Sequence, residues 1–421
     1  MTPPKKASSK KPTSKKPSSK KPSSKKPTSK KAPSAASSED VQREPAEVRY
    51  AAELKFLAAW DTGPRPPGWA LTPRAVVTFV VGSEEPLSLP QGAPADLPRR
   101  LEIAVKFVGS RAQIERSVVT LAGERGLLLV GEPGTAKSLL SELLAAAVSG
   151  TSGLTVQGTA GTSEEQLRYG WNYSLLIAKG PHPEALVPAP VLRAMRRGAI
   201  ARVEEITRCL PEVQDALISI LSERRLAIPE LEGLDPGGFG AHDEPARPGF
   251  NVIATANLRD RGVSEMSSAL KRRFNFEVVE PIADLAAETA LVRQQTTQAL
   301  ERVGQPLALD EALLEALVTA FRDLRGGTSV EGWAVERPTS VMSTAEAVGV
   351  ATSLGLQSVF LGQGSDPLGL LPGYLLGVVQ KDEPKDRARL LAYWDSAVKR
   401  RAESGARLWR RLFELRRLLE E

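Results

Sequence analysis

Through the middle of the chain, short apolar runs alternate with stretches whose apolar positions recur every three or four residues. LLLV at 127–130, LTVQ at 154–157, AIARV at 199–203, NVIATAN at 251–257 and FEVV at 276–279 are too short for helices, and each reads as a strand. Between the third and fourth, PEVQDALISILSER at 211–224 puts Val213, Ala216, Leu217, Ile220 and Leu221 on one helical face, with Pro211 suited to the first turn. Apolar strands separated by helices predict a parallel sheet covered on both faces.

Beyond Glu280 the pattern turns almost wholly helical. DEALLEALVTAFRDL at 310–324 and VMSTAEAVGVATSL at 341–354 are helix patterns. The final segment ends in LWRRLFELRRLLEE, where Leu408, Leu412, Leu415 and Leu419 share one helix face. That face is expected to pack on the body or on a neighbouring subunit. Ahead of the first strand lie a helical stretch, VRYAAELKFLAAW, a Pro-rich turn, GPRPPG, and the apolar AVVTFVVG. These patterns divide the chain into a tail and linker at 1–46, a small N-terminal subdomain at 47–108, an αβα domain at 109–282, and a helical region at 283–421.

Composition changes this picture at one end only. Apolar residues make up 41% and charged residues 25%, values of a globular protein, and no apolar run approaches the ~18 residues of a membrane span. The start of the chain has lysines but no apolar core of a secretory signal, so a cytoplasmic location without membrane association is expected. One cysteine, Cys209, excludes an internal disulfide, and two histidines make a zinc cluster an unpromising reading. The net charge is +6, yet residues 1–38 hold twelve lysines and no acid, which leaves −6 for residues 39–421. The tail repeats KKPSS-like units with nothing apolar to bury, so it is expected to be disordered. Lysine pairs on such a tail suit nucleic-acid phosphates. No aromatic residue is interleaved for base stacking, which favours a plain electrostatic arm instead.

The chemistry lies in the domain between. GEPGTAKS, comprising Gly131, Glu132, Pro133, Gly134, Thr135, Ala136, Lys137 and Ser138, follows a strand and opens a helix. A glycine-rich turn there aims backbone N–H groups at phosphate oxygens, Lys137 reaches the β and γ phosphates, and the Ser138 hydroxyl takes a place on Mg²⁺. Ala136 stands where the strict pattern has glycine, which alanine tolerates if φ is negative. Hydrolysis further needs a metal-orienting carboxylate and a group to polarise water. Glu204 and Glu205 close the AIARV strand and Asn257 closes NVIATAN, at the carboxyl ends where ligands of a parallel sheet sit.

In order and content, GEPGTAKS, EEITRCLPEVQDALISILSER, FNVIATAN and LKRRF resemble the MoxR-like group of AAA+ ATPases over about residues 100–350. The resemblance implies a P-loop AAA+ αβα sandwich with a five-stranded parallel sheet, an all-helical lid, and a homo-hexameric ring with ATP sites between subunits. It implies Glu204 as the metal carboxylate, Glu205 as the catalytic base and Asn257 as the sensor of the attacking water. Arg273 becomes the arginine finger offered to a neighbour, with Arg272 as the fallback, and Arg337 the lid's sensor arginine. The family's acidic pair is usually Asp-Glu, so Glu204 carries an extra methylene. A hairpin inserted before the sensor strand is implied too, with its tip around Gly237 to Gly240. The group acts in a chaperone-like way on protein clients, often with a partner carrying a von Willebrand factor A domain. Three functions stay open on the sequence alone: a remodeller of protein complexes, a nucleic-acid motor using the tail, and a low-turnover nucleotide-binding assembly protein.

Overall fold

A computed structural model describes residues 42–231, 242–257, 264–304, 309–361, 366–381 and 383–420. The lysine tail at 1–38 and the expected hairpin tip lie outside them. Pro45–Glu421 form one compact unit, which holds every element of the fold.

Five strands form one parallel sheet: β1 Gly126–Val130, β2 Thr155–Gln157, β3 Ile200–Glu204, β4 Asn251–Ala256 and β5 Phe274–Val278, in the order β5-β1-β4-β3-β2. Every residue of β1, β3 and β4 is buried. The strand period of two then sorts each strand between two cores. Leu128, Val130, Ala201, Val203, Val252 and Ala254 face one core. Leu127, Leu129, Ile200 and Ile253 face the other.

The second core also takes in apolar residues of the segment at 47–108, the expected subdomain. Phe56, Val76, Phe79, Ile103 and Phe107 pack in it beside Leu140, Leu143 and Leu144 of the helix that follows β1, so this segment shares the sheet's core. Its apolar run is helix α1, Pro73–Val81, despite four valines: Thr72 Oγ1 accepts from Ala75 N (3.2 Å) and Pro73 opens the first turn. Helix α2, Arg111–Ala122, leads into β1, and α3, Lys137–Ser149, leaves it. The 211–224 segment is helical but interrupted at Ala216. The inserted hairpin is present as Arg225–Ile228 paired antiparallel with His242–Pro245.

The C-terminal part is helical, as its pattern predicts. Its main helices are α4 Leu285–Arg302, α5 Glu311–Gly326, α6 Thr344–Phe360, α7 Pro367–Val379 and α8 Lys385–Tyr393. They enclose a third core around Phe321, Leu354, Leu371 and Trp394, and Leu412 and Leu419 of the final segment are buried in it. Among the described residues no helix is long and apolar enough to cross a membrane.

Arg401 ties the end of the chain to this core. It pairs with buried Asp323 (2.7 Å), and its Nε and Nη2 donate to the two oxygens of Glu331 (2.7 and 2.6 Å). Those hydrogen bonds pull the Glu331 carboxyl from its ordinary value near 4.5 down to about 2. A depressed carboxylate stabilises the fold above its unfolded value and loses that contribution as pH falls. Thermal melts of the wild type and Glu331→Gln should therefore differ most above about pH 4.5 and converge toward pH 2. A gap constant across that range would exclude the ion pair as its source.

Candidate functional site

After Val130 the chain turns through residues 131–136 into α3. Gly134 (φ 77°) and Ala136 (φ 64°) both adopt left-handed backbone. Lys137 is buried, and its Nζ donates to the carbonyls of Gly131 (3.1 Å) and Glu132 (2.6 Å) across the turn. Thr135 Oγ1 donates to the Glu132 carbonyl as well (3.0 Å). A tight turn feeding a helix N-terminus is built for anions, because the first N–H groups have no intrahelical partners. The lid reaches this turn directly. A Cβ on Gly134 would lie 2.1 Å from the Cβ of Ser343, the N-cap of α6, so only glycine allows the contact.

β3 and β4 supply the other flank. Ala254 pairs with Val203, which stands Thr255 beside Glu204. Glu204 is 4% exposed and accepts four hydrogen bonds. Oε2 accepts from Ser138 Oγ (2.7 Å) and Thr255 Oγ1 (2.9 Å), and Oε1 from Ser141 Oγ (2.5 Å) and Arg202 Nη2 (2.8 Å). Glu205 follows with left-handed backbone (φ 52°), its N–H donating to Thr255 Oγ1 (2.9 Å). Its carboxylate is about one-third exposed and pairs with Arg208 (2.6 Å). Asn257 is buried at the end of β4. Thus Lys137, Ser138, Glu204, Glu205 and Asn257, dispersed over 121 positions of sequence, meet at the carboxyl ends of β1, β3 and β4.

Ser138 and Glu204 are adjacent hard oxygen donors, the kind Mg²⁺ uses when it shares a site with phosphates. Among the described residues no group of three or more His, Cys, Asp or Glu could cage a metal, and a shared site needs none. Mg²⁺ held there would neutralise charge on the phosphate oxygens.

On the opposite flank a cleft of about 510 Å³ is lined by Gly131, Glu132, Val279, Pro281, Arg325 and Arg337. The lid therefore does bring Arg337 to the cradle, but on the β5 side, away from Glu204 and Asn257. Arg325 beside it is held by buried Glu288 (2.9 Å). Arg272 and Arg273 lie at the amino end of β5. There Arg273 Nη1 donates to the Ala269 carbonyl (2.6 Å) and Nε to Ser222 Oγ, while Arg272 is exposed.

Residues 126–274 match the AAA domain of the dynein-related subfamily, and residues 286–420 match the YehL-like AAA+ ATPase C-terminal domain. The protein YehL of Escherichia coli (strain K12) is 47% identical over 379 residues, covering 90% of this chain and 98% of that one. The chain belongs to the YehL-like AAA+ ATPases. The protein SH1500 of Staphylococcus haemolyticus is 30% identical over 201 residues, covering 48% of this chain and 68% of that protein. A crystal structure of NtrX from Brucella abortus in complex with ATP aligns at 14% identity and TM-score 0.42, over 74% of this chain and 67% of that one.

In this AAA+ ATPase the condition under which alanine fits easily at 136 is not met: φ is positive. A left-handed non-glycine residue costs about 1–2 kcal/mol, against which glycine's larger unfolded-state freedom must be set. Ala136→Gly should accordingly raise Tm by roughly 1–3 °C in a thermal melt. A lowered Tm would mean that the alanine methyl makes packing worth more than the strain. Four contributors escaped the sequence reading: Ser141, Thr255, Arg202 and Arg208. Thr255 and Arg202 looked like members of apolar strands. Arg208 lies three residues past Glu205, and only the short helix at Ile206–Arg208 turns it back. Cys209 is buried, which raises its thiol pKa and suits a packed, inert side chain.

Proposed function

We propose that this protein is a MoxR-like ATPase of the cytoplasm that binds Mg²⁺-ATP in the 131–138 turn and hydrolyses it. The observation that carries the reading is the 2.7 Å bond from Ser138 Oγ to Glu204 Oε2, which joins the phosphate turn to the acidic strand end. Lys137 and the N–H groups of the turn bind the phosphates. Asn257 holds the attacking water. Glu205 takes a proton from that water as its oxygen bonds the γ-phosphorus and the bond to the ADP oxygen breaks. Arg273, or failing it Arg272, serves the site of a neighbouring subunit in a homo-hexameric ring. The ring would remodel protein complexes, its client or partner carrying a von Willebrand factor A domain. Ala46, Phe56, Val76, Phe79, Ile103 and Phe107 pack in the sheet's second core, so the segment ahead of the first strand offers little support for a nucleic-acid motor beyond the tail.

A second reading, tight binding with little hydrolysis, draws on one feature: both oxygens of Glu204 are engaged by four donors. Turnover of Mg²⁺-ATP per subunit, measured across protein concentrations, separates the two. Specific activity that rises with concentration supports a shared-site ATPase. Negligible turnover with intact ATP binding would leave the holding role.

A further inference from the structure

We infer that Arg202 is a positioning residue that sets the reach of Glu204, and with it the response of nucleotide binding to Mg²⁺; this rests on the ATP-site reading above. Arg202 lies in the middle of a strand whose five residues are all buried, and is itself 8% exposed. The period of two puts it on the same face as Glu204, toward α3. All five N–H groups of its guanidinium find acceptors. Nε donates to Ser141 Oγ (3.0 Å), and Nη2 to the Ser138 carbonyl (3.0 Å) and Glu204 Oε1 (2.8 Å). Nη1 donates to the Ser152 carbonyl (3.1 Å) and Thr155 Oγ1 (3.3 Å).

The result is a division of labour between the two oxygens of Glu204. Arg202 and Ser141 hold Oε1, while Oε2 is shared by Ser138 and Thr255. A glutamate reaches one methylene farther than an aspartate. Anchoring Oε1 back along its own strand folds that extra length away and keeps Oε2 beside the Ser138 hydroxyl. Arg202 and Glu204 are therefore a matched pair, and a rigid fork of five donors is something lysine cannot reproduce.

The test measures binding of a fluorescent ATP analogue to the full-length protein, in EDTA and across a Mg²⁺ titration. The variants are Arg202→Met, Arg202→Lys, Glu204→Asp and the double Arg202→Met/Glu204→Asp, each checked by thermal melt. Arg202→Met should leave the EDTA affinity within about twofold and raise the Mg²⁺ concentration for half-maximal effect by roughly 10–100-fold, as loss of a ligand's supporting partner does. Arg202→Lys should fall between. Adding Glu204→Asp to Arg202→Met should cost less than Glu204→Asp costs alone, because the two side chains act as one unit. Should Arg202→Met not fold, Arg202→Lys and Glu204→Asp carry the comparison. Equal losses with and without Mg²⁺, or additive effects, would reduce Arg202 to a staple between β3 and α3 and overturn the inference. A wild type that binds no nucleotide, or binds it without regard to Mg²⁺, overturns the site reading as well.

Discussion

Glu205→Gln is expected to bind ATP as the wild type does and to turn it over about 10²–10⁴-fold more slowly, the usual contribution of a positioned general base. The geometry separates binding from chemistry at this residue. On the proposed reading the phosphate contacts would come from the 131–138 turn, whereas Glu205 stands two strands away, at the end of β3. Its backbone is fixed by the Thr255 hydroxyl and held left-handed, so glutamine would keep the shape and the position of the side chain. What changes is the capacity to take a proton. Arg208 pairs with the carboxylate in this arrangement, and that contact must open or swing for Glu205 to meet a water. Single-turnover hydrolysis beside equilibrium binding of a fluorescent nucleotide reads both quantities. Near-normal turnover would remove Glu205 from the chemistry; lost binding would make it part of the cradle.

The other large effect is expected at the amino end of β5. β1 and β5 pair in register from Gly126 with Phe274 to Val130 with Val278. The five-residue strands therefore separate Arg273 from its own chain's phosphate turn by roughly 15 Å. An arginine there is remote from its own chain's turn, which is why the proposed role lies in the site of a neighbouring subunit. Arg273 is also preorganised, tied to Ser222 and the Ala269 carbonyl, whereas Arg272 is exposed. Arg273→Ala should reduce kcat about 10³–10⁵-fold, the range for arginines that stabilise phosphoryl transfer in trans. Arg272→Ala should do less, and the reverse ranking would move the role by one residue. Mixing inactive Glu205→Gln with inactive Arg273→Ala is the decisive control. Each supplies what the other lacks across a shared site, so activity should reappear. If the mixture stays inactive, the two residues do not act across subunits.

How far the sequence could be read depended on how local the cause was. The central strands β1, β3 and β4 were legible because a strand buried on both faces is written as a largely apolar run. The phosphate turn was legible because its chemistry lies within eight consecutive residues. What the 47–108 segment packs against was not legible, on the same ground. Apolar side chains announce that they will be buried and not against what, and here Phe79 and Phe107 found the helix that follows β1. The φ of Ala136 stayed open because a residue's type does not report its φ when the turn around it sets the backbone. Arg202 was invisible because its acceptors, Ser138 and Ser141, lie more than sixty residues away in sequence.

The sequence by itself determined the elements, the phosphate-binding turn and the identity of the acids that close β3. These follow from side-chain period and from hydrogen bonding within one or two turns of chain. Only the tertiary structure decided that β4 lies between β1 and β3, bringing Thr255 against Glu204, that Ser343 presses on Gly134, and that Arg337 approaches the cradle from the β5 side. The physical reason is that each of these depends on strand order and on close contacts between distant segments. Such contacts are set by how whole layers pack, and no window of sequence contains them.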